Sequence, residues 1–407
     1  MKKIGEFVTK HKISVIIISL LLLIPTIIGI KNTRINYDIL VYLPDDIETM
    51  KGQEILKDDF DMGAFSISII DNMSSKDIIK LEEKIRKVEG VNLVATIADV
   101  TGSTIPLDFL PTEITDKVIK DGSTLLFITF KDTTSTDETL NAVKEIRKLE
   151  SDSTKIGGMT AMALDTMDLS NEEIAVYIII AVILCIIVLT LFLDSYVVPV
   201  LLLANIGLAI LYNMGTNVFL GEISYITKAI SAVLQLGVTT DFSIFLYHKY
   251  EKSKKKSKDN NQAMSEAISE TLVSVLGSSL TTIAGFLALC TMNLTLGKDI
   301  GIVMAKGVLF GLICVVTVFP SLLLIFDKWI ETTGHKSFIP EFKHTKEFVI
   351  KHYKLIFVIF LILIIPASIG NFNTKVYYKL DKSLPDTLDS IVANNELKEK
   401  FNIVSPE

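Results

Sequence analysis

An aspartate interrupts an apolar run at Leu236-Gly-Val-Thr-Thr-Asp-Phe-Ser-Ile-Phe-Leu246. The apolar segment extends from Tyr225 to Tyr247, which is long enough for a helix to cross a bilayer. A carboxylate at mid-membrane costs roughly 2.5–3.5 kcal/mol on insertion scales, so a helix that keeps Asp241 is expected to use it. A carboxyl that gains and loses a proton within the membrane suits a proton relay. The alternative is a structural polar contact between helices, capped by Thr239, Thr240 or a partner hydroxyl.

Composition indicates a polytopic membrane protein. The 407 residues are 49% hydrophobic with a mean hydropathy of +0.47, and the apolar residues fall in long blocks. Residues 31–173 contain 28 Asp and Glu against 16 Lys and Arg, whereas the remainder contains 19 against 24. We therefore expect one acidic soluble domain, with basic edges that set topology rather than bind nucleic acid. The three cysteines lie in apolar segments, without disulfide or metal-ligand spacing, and no metal or cofactor is expected.

The start of the chain predicts an uncleaved first span. Residues 1–12 are short and basic, which favours a cytoplasmic N-terminus, and residues 13–30 are long enough to span. The sequence Lys31-Asn-Thr-Arg34 follows, which is not a small-residue cleavage site. Residues 31–173 are therefore expected on the extracytoplasmic side of the cell membrane.

Residues 31–173 have the pattern of an α+β domain. Alternation predicts strands, and helical spacing predicts two helices, the first of which follows the N-cap residue Ser74. The expected strands are Ala64–Ile70, Val91–Ile97, Leu125–Phe130 and Lys155–Met162, and the expected helices are Ser74–Val88 and Thr136–Leu149. The order β-α-β-β-α-β is the split βαβ pattern of a ferredoxin-like domain. A connection containing Pro106 and Pro111 follows the second strand, and Gly157-Gly158 is interpreted as a bend.

Residues 174–326 predict a bundle of five further spans. These are Ile174–Leu193, Tyr196–Met214, Tyr225–Tyr247, Leu272–Met292 and Gly301–Phe326. The loop Tyr250–Gln262 contains five lysines, which favours the cytoplasm, and counting spans from an inside N-terminus agrees. Residues 327–354 then form a cytoplasmic linker, residues 355–370 a seventh span, and residues 371–407 the start of a second soluble domain.

Other polar residues of the spans are candidate partners of Asp241. We expect Lys228 and Lys306 to extend towards the outer surface, so neither is expected to pair with Asp241. Gly237 precedes Asp241 by one turn and would allow a neighbour to approach the same face. The next span offers four hydroxyl groups, either as relay neighbours or as interhelical contacts: Ser278, Ser279, Thr281 and Thr282.

The end of the chain repeats its beginning. Phe7-Val-Thr-Lys-His11 matches Phe348-Val-Ile-Lys-His352. A series of residues recurs in the same register without a gap, each 341 positions later: Pro25, Gly29, Asn32, Thr33, Leu43, Pro44, Leu56, Lys57 and Phe60 match Pro366, Gly370, Asn373, Thr374, Leu384, Pro385, Leu397, Lys398 and Phe401. Matched prolines and glycines in one register predict a duplication. Because both spans enter from the inside, the repeats would be parallel.

The repeat predicts that the chain is one complete half and the start of a second. A protein of at least ~680 residues would follow if the second half is as long as the first. The missing second half is therefore an expected partner. A homo-oligomer is left open by the sequence.

Three motifs lie in the later spans. They are Gly237-Val-Thr-Thr-Asp241-Phe242-Ser-Ile-Phe-Leu246, Ser278-Ser-Leu-Thr-Thr-Ile-Ala-Gly-Phe286, and Gly307-Val-Leu-Phe-Gly311 with Pro320. Together they resemble the fourth-, fifth- and sixth-span motifs of the resistance-nodulation-division (RND) superfamily, nearest to its MMPL-type branch, in which the fourth-span motif is Gly-x-x-x-Asp-Tyr-x-x-Phe-Leu. The resemblance covers essentially the whole chain, and the five-span bundle also resembles a sterol-sensing domain.

The resemblance implies proton-motive export, with an extracytoplasmic porter domain and Asp241 as the titrating residue. It places Gly237, Thr240, Phe242, Thr281 and Thr282 beside the relay. Phe242 stands where the MMPL pattern has Tyr, so a phenolic hydroxyl is missing there. The tenth span, where the family has the facing relay residues, lies outside this chain, so the 407 residues alone are not expected to transport.

The leading hypothesis is therefore a proton-driven exporter of hydrophobic or amphiphilic molecules, either lipids or drugs, in contact with membrane lipids. One alternative is a lipid sensor or scaffold that does not pump. Another is an accessory to protein export. No catalytic constellation is found in the sequence, so an enzyme is not expected.

Overall fold

The computed structural model describes residues 2–38, 40–96, 99, 118–151, 153–257, 259–335, 343–375 and 384–403. Among these residues, seven helices are long and apolar enough to cross a membrane, which confirms the predicted spans. The protein is therefore a polytopic α-helical membrane protein. The helices are α1 (Lys2–Lys10), α2 (Lys12–Asn32), α3 (Glu48–Phe60), α4 (Ser75–Ile85), α5 (Asp137–Leu149), α6 (Met159–Phe192), α7 (Val197–Gly215), α8 (Tyr225–Lys254), α9 (Asn260–Ala288), α10 (Thr295–Ile325), α11 (Asp327–Thr332), α12 (Lys343–Lys351), α13 (Tyr353–Asn373) and α14 (Asp389–Phe401).

A four-stranded antiparallel sheet with a short added hairpin strand forms the centre of the soluble domain. The strands are β1 (Arg34–Asn36), β2 (Ala64–Asp71), β3 (Val91–Thr96), β4 (Ile119–Lys120), β5 (Ser123–Phe130), β6 (Thr154–Gly157) and β7 (Glu222–Ser224). The spatial order is β3-β5-β2-β6, and β4 pairs with β5. The elements β2-α4-β3-β5-α5-β6 follow one another along the chain in the β-α-β-β-α-β order that the sequence predicts.

Side-chain caps begin the two helices of this domain. The Ser74 hydroxyl accepts a hydrogen bond from the backbone N–H of Asp77 at 3.3 Å, and the Thr136 hydroxyl accepts one from Thr139 at the same distance. Each helix then buries an apolar face against one side of the sheet, where Ile70, Leu126, Ile128 and Phe130 lie. Both predicted helix starts are therefore confirmed to within one residue.

The prediction of a strand over Lys155–Met162 is wrong in its second half. Strand β6 ends at Gly157, and Gly158 has a φ of +99°, a conformation that glycine adopts without the usual steric cost. Helix α6 begins at the next residue and continues without interruption to Phe192. It begins this early because its first turns pack into the core of the soluble domain through Ala161 and Leu164. The connection with Pro106 and Pro111 lies outside the described residues.

The five spans α6, α7, α8, α9 and α10 pack into a bundle, and α2 packs against it. Helix α10 is the most buried of them, and it contacts α2, α7, α8 and α9. The amphipathic helix α1 lies along α9, where a Cβ at Gly5 would be 2.7 Å from the Ser265 carbonyl oxygen. A parallel pairing of β1 with β7 connects the entry of the soluble domain to the turn before α8. The soluble domain is thus fixed to the end of the bundle at which α8 starts.

Three helices at each end of the chain correspond in their limits. Helices α1, α2 and α3 begin and end 341 positions before α12, α13 and α14, and Asp61 and Asn402 end the third helix of each set with φ of 52° and 54°. Their environments differ, since α13 has no buried residue whereas α2 packs in the bundle.

Candidate functional site

Helix α8 has a covered side and an uncovered side. The covered side contains Thr227, Ser231, Gln235, Thr239, Ser243, Leu246 and Tyr250, all buried. We refer to the opposite stripe as the open face of α8; its members are exposed at steps of three and four residues: Ile230, Leu234, Gly237, Asp241, Phe245 and His248. Asp241 thus lies on the side of the helix that the described bundle leaves uncovered.

The Asp241 carboxylate makes no hydrogen bond or ion pair with any residue that the structure describes. Thr240 donates its hydroxyl proton to the Leu236 carbonyl at 2.6 Å, and Thr239 is fully buried on the covered side. Neither threonine therefore caps Asp241. The alternative that Asp241 is a structural contact has no described partner to support it.

Gly237 and Phe242 lie on different sides of α8. Gly237 is on the open face of α8, and a Cβ built on it would meet nothing within 4 Å. Phe242 is buried in the apolar core of the bundle. Gly237 therefore shares the face of Asp241, whereas Phe242 follows Asp241 in sequence but belongs to the covered side.

Helix α9 contributes a stripe of small exposed residues next to α8, against which it packs. The stripe consists of Ser274, Gly277, Ser278, Thr281, Ala284, Gly285 and Ala288. Thr281 and Thr282 donate their hydroxyl protons to the Ser278 carbonyl, at 2.8 and 3.0 Å. They are therefore satisfied within their own helix, and only their lone pairs remain for a further partner. A stripe of small residues on a membrane helix allows close approach by another helix.

Lys228 and Lys306, the two lysines considered as partners of Asp241, make contacts with neutral groups. Lys228 donates to the Asn171 side chain at 3.4 Å. Lys306 donates to the Asn213 carbonyl at 3.1 Å and to the Asn217 side-chain oxygen at 2.5 Å. Lys306 thus reaches acceptors at the end of α7, which is the end of the bundle next to the soluble domain. The described contacts of both lysines are with these neutral groups and not with Asp241.

A polar network inside the bundle was not anticipated from the sequence. The Gln235 amide donates to the Gly307 carbonyl, and the Asn213 amide donates to Gln235, each at 3.1 Å. A Cβ at Gly307 would lie 2.7 Å from Asn213 Nδ2, and one at Gly311 would lie 2.5 Å from Thr239 Oγ1. The two glycines of the sixth-span motif therefore admit polar side chains of neighbouring spans. The sequence signal for this network is Gln235, a polar residue within an apolar span that lies four residues before Thr239 and so on the same helix face.

The described residues include no group of three or more His, Cys, Asp or Glu side chains that could hold a metal ion. The open face of α8 thus offers one ionisable carboxylate within the membrane helices, together with small and apolar neighbours. Such a face can exchange protons if water or a facing polar group reaches it.

Comparison with protein families gives a match to the MMPL family model over residues 42–347. The chain belongs to the MMPL family. This agrees with the resemblance drawn from the three span motifs, and it covers the soluble domain as well as the five-span bundle.

Individual relatives match this chain at low sequence identity and over only part of their own length. A Streptomyces coelicolor membrane protein, ActII-3, is 32% identical over 125 residues, which is 31% of this chain and 17% of that protein. The apo-petrobactin exporter of Bacillus anthracis is 22% identical over 76% of this chain and 42% of its own length. The siderophore exporter MmpL5 of Mycobacterium tuberculosis is 23% identical over 43% of this chain and 19% of its own length. The chain thus spans less than half the length of each of these relatives.

Proposed function

We propose that the chain is the first repeat, and the start of the second, of an exporter that uses the proton gradient to move hydrophobic or amphiphilic molecules out of the cell. Asp241 is the residue that takes up and releases the proton. The observation that carries this proposal is the position of Asp241, exposed on the open face of α8 without a described partner.

The uncovered surfaces of α8 and α9 support the proposal that a second bundle packs against them. Asp241 has Gly237 one turn away, and the adjacent helix presents the small-residue stripe of α9. A second bundle of the same kind could approach both helices closely. Protonation of Asp241 would then remove a charge from between the bundles and change the free-energy difference between two arrangements. A membrane potential of ~100 mV provides about 2.3 kcal/mol per charge for such a change.

The relatives narrow the substrates to be tried first. One of them is named as an apo-petrobactin exporter and another as a siderophore exporter. Siderophores are polar chelators, and some carry apolar tails, so they belong in the test panel beside lipids and hydrophobic dyes.

Efflux from cells that make the full-length protein tests this function. We would compare the wild type, Asp241→Asn and Asp241→Glu at equal abundance, across a panel of dyes, lipids and siderophores, with and without an uncoupler. Asp299→Asn is the matched control, since the Asp299 carboxylate accepts from Thr227 and from the Ser224 backbone and is expected to act structurally.

The expected result is efflux that needs an acidic residue at position 241 and stops with the uncoupler. Equal efflux by the wild type and Asp241→Asn would remove Asp241 from the mechanism. Retained lipid binding without efflux in any variant would instead favour a lipid sensor. A secretion defect without a change in small-molecule content would favour an accessory to protein export.

A further inference from the structure

Helix α14 packs on the face of the soluble-domain sheet that α4 and α5 do not cover. Leu397 and Phe401 are buried against Ile67, Ile69 and Leu125, and they are 3% and 6% exposed. These three sheet residues alternate with those facing α4 and α5, so they lie on the opposite side. We refer to this side as the second sheet face. The first soluble domain is thus completed by a helix that follows the seventh span.

Polar contacts fix α14 in this position. The Asp165 carboxylate, which pairs with Arg147, accepts the Ser390 backbone N–H at 2.9 Å and so caps the first turn of the helix. The Asn394 side-chain oxygen accepts the Gly158 N–H at 2.8 Å. Two ion pairs follow along the helix, Lys155 with Glu396 at 2.6 Å and Lys400 with Asp71 at 3.1 Å.

Helix α3 is the counterpart of α14 and has no such environment. Its limits lie 341 positions before those of α14, yet none of its residues is buried. Leu56 and Phe60, which correspond to Leu397 and Phe401, are 43% and 63% exposed. No side chain caps its N-terminus. An apolar stripe on a short amphipathic helix is expected to be covered.

The residue pattern of α3 fits the same kind of surface. The positions that α14 buries correspond in α3 to small or apolar residues: Thr49, Met50, Gly52, Leu56 and Phe60. The positions that α14 exposes correspond to charged residues without exception: Glu48, Lys51, Glu54, Lys57 and Asp58. The two helices therefore divide their faces in the same way, although only one of them is covered.

A close approach explains the glycine in the middle of α3. A Cβ at Gly157 would lie 3.3 Å from the Ala393 Cβ, so α14 touches the sheet through a small residue at this point. Gly52 corresponds to Ala393 and has nothing within 4 Å of its Cβ position. Glycine inside a helix lowers its stability, so its presence points to a contact that needs the space.

We propose that α3 lies on the second sheet face of the soluble domain in the second repeat, as α14 lies on that of the first. The two repeats then exchange these helices, and each soluble domain is completed by a helix attached to the other repeat's span. This inference rests on the two-repeat protein of the proposed function, but it does not depend on export. A movement of either bundle would be transmitted to the opposite soluble domain through the segment before the exchanged helix.

Cysteine cross-linking in the full-length protein tests the exchange. The native Cys185, Cys290 and Cys314 are replaced by Ser, and a protease site is inserted between Thr333 and Lys343. The test pair is Gly52→Cys with a cysteine at the residue of the second repeat that aligns with Gly157. The control pair is Gly157→Cys with Ala393→Cys. The Cβ–Cβ distance of this pair, 3.3 Å, is close to the ~3.8 Å typical of a disulfide.

Both pairs join segments on the two sides of the protease site. After oxidation and cleavage, the exchange predicts that each pair holds the two halves of one polypeptide together on a denaturing gel. Halves that separate for the test pair but stay joined for the control would overturn the proposal. A band of two joined chains for the test pair would also overturn it, because α3 would then contact a second copy. The readout is the same with Asp241→Asn, so it is separate from the export test.

Charged substitutions provide a second measurement that needs no cross-link. Phe60→Asp and Phe401→Asp should increase the cleavage of the folded full-length protein by an added protease to a similar extent, at least several-fold. Lys57→Asp and Lys398→Asp are the matched controls on the charged faces and should leave cleavage unchanged. A Phe60→Asp protein that behaves like Lys57→Asp would contradict the exchange.

Discussion

The first three helices and the last three share one sequence pattern but have complementary surroundings. Helix α2 packs in the five-span bundle through Ser19, Thr26 and Gly29, whereas α13 has no buried residue. The third helices are reversed, since α3 has no buried residue and α14 buries five. The difference teaches that a span and the helix that follows it pack in different places. In the first set α2 is covered by the five-span bundle, and in the last set α14 is covered by the first soluble domain.

The largest loss of stability is expected when the carboxylate that caps α14 is removed. Asp165→Ala leaves Arg147 without its partner and the first turn of α14 without its acceptor. Loss of one member of a buried pair costs about 3–5 kcal/mol, so the thermal unfolding temperature of the purified protein should fall clearly. Glu145→Ala, which removes a pair with Lys148 on the exposed side of α5, is the control and should cost at most about 1 kcal/mol. Equal shifts in both variants would contradict the described position of α14.

The two equivalent glycines of the spans sharpen the comparison further. Gly29 faces the Gly215 backbone so closely that a Cβ would overlap its carbonyl oxygen, whereas Gly370 has open space around it. In the 407-residue chain, Gly29→Ala should lower stability by about 1–3 kcal/mol, while Gly370→Ala should be neutral. In the two-repeat protein proposed above, both substitutions should be unfavourable, because α13 would pack in a second bundle. Melting curves of the four proteins in detergent check this, and an effect of Gly370→Ala confined to the shorter chain would contradict it.

A pH dependence is expected beside the capped end of α14. Burial raises the pKa of Glu150 from 4.5 to about 7, although Arg147 opposes this shift. Below pH 4.5 Glu150 is protonated in the folded and the unfolded chain, so it has no effect on stability. Between pH 4.5 and 7 the unfolded chain ionises first, and the folded state therefore loses stability as the pH rises.

Glu150→Gln should remove this part of the pH dependence and raise the unfolding temperature at pH 8 by about 2–4 °C. Melting curves between pH 5 and pH 8 measure it. Parallel curves for the wild type and Glu150→Gln would show that Glu150 does not carry the effect.

The smallest effect concerns an ion pair that only one of the two exchanged helices has. Lys155 pairs with Glu396 of α14 at 2.6 Å, and the Lys155 side chain is 38% exposed. Lys155→Ala should cost about 0.2–1 kcal/mol. Helix α3 has Ile55 where α14 has Glu396, so this pair is not expected at the equivalent surface. Urea unfolding, with Lys76→Ala as an exposed control, measures the difference; a cost above about 2 kcal/mol would show that the pair matters more than its exposure suggests.

Local patterns were sufficient to predict much of the fold. The seven spans follow from apolar length, and the starts of α4 and α5 follow from Ser74 and Thr136. The strand limits agree to within a few residues, apart from the early start of α6 at Met159. These features depend on neighbours close in sequence, which is why a single chain reveals them.

Partners distant in sequence were not predicted. The periodicity of α14 indicates an apolar stripe, but not that the stripe covers a sheet more than 200 residues earlier. Asn213, Gln235 and Gly307 lie on three spans, and only packing brings them together. The position of Phe242 in the core likewise depends on how α8 is rotated in the bundle, because Asp241 and Phe242 are adjacent and point to different sides.

Proton movement through the purified full-length protein tests the central claim most directly. The protein is reconstituted in liposomes with an imposed pH gradient and a substrate identified in the efflux panel, and the internal pH is followed with a trapped dye. We expect the wild type to dissipate the gradient faster when substrate is present, Asp241→Glu to retain part of this activity, and Asp241→Asn to match empty liposomes. Substrate-dependent proton movement in Asp241→Asn at the wild-type rate would contradict the assignment of Asp241 as the residue that carries the proton.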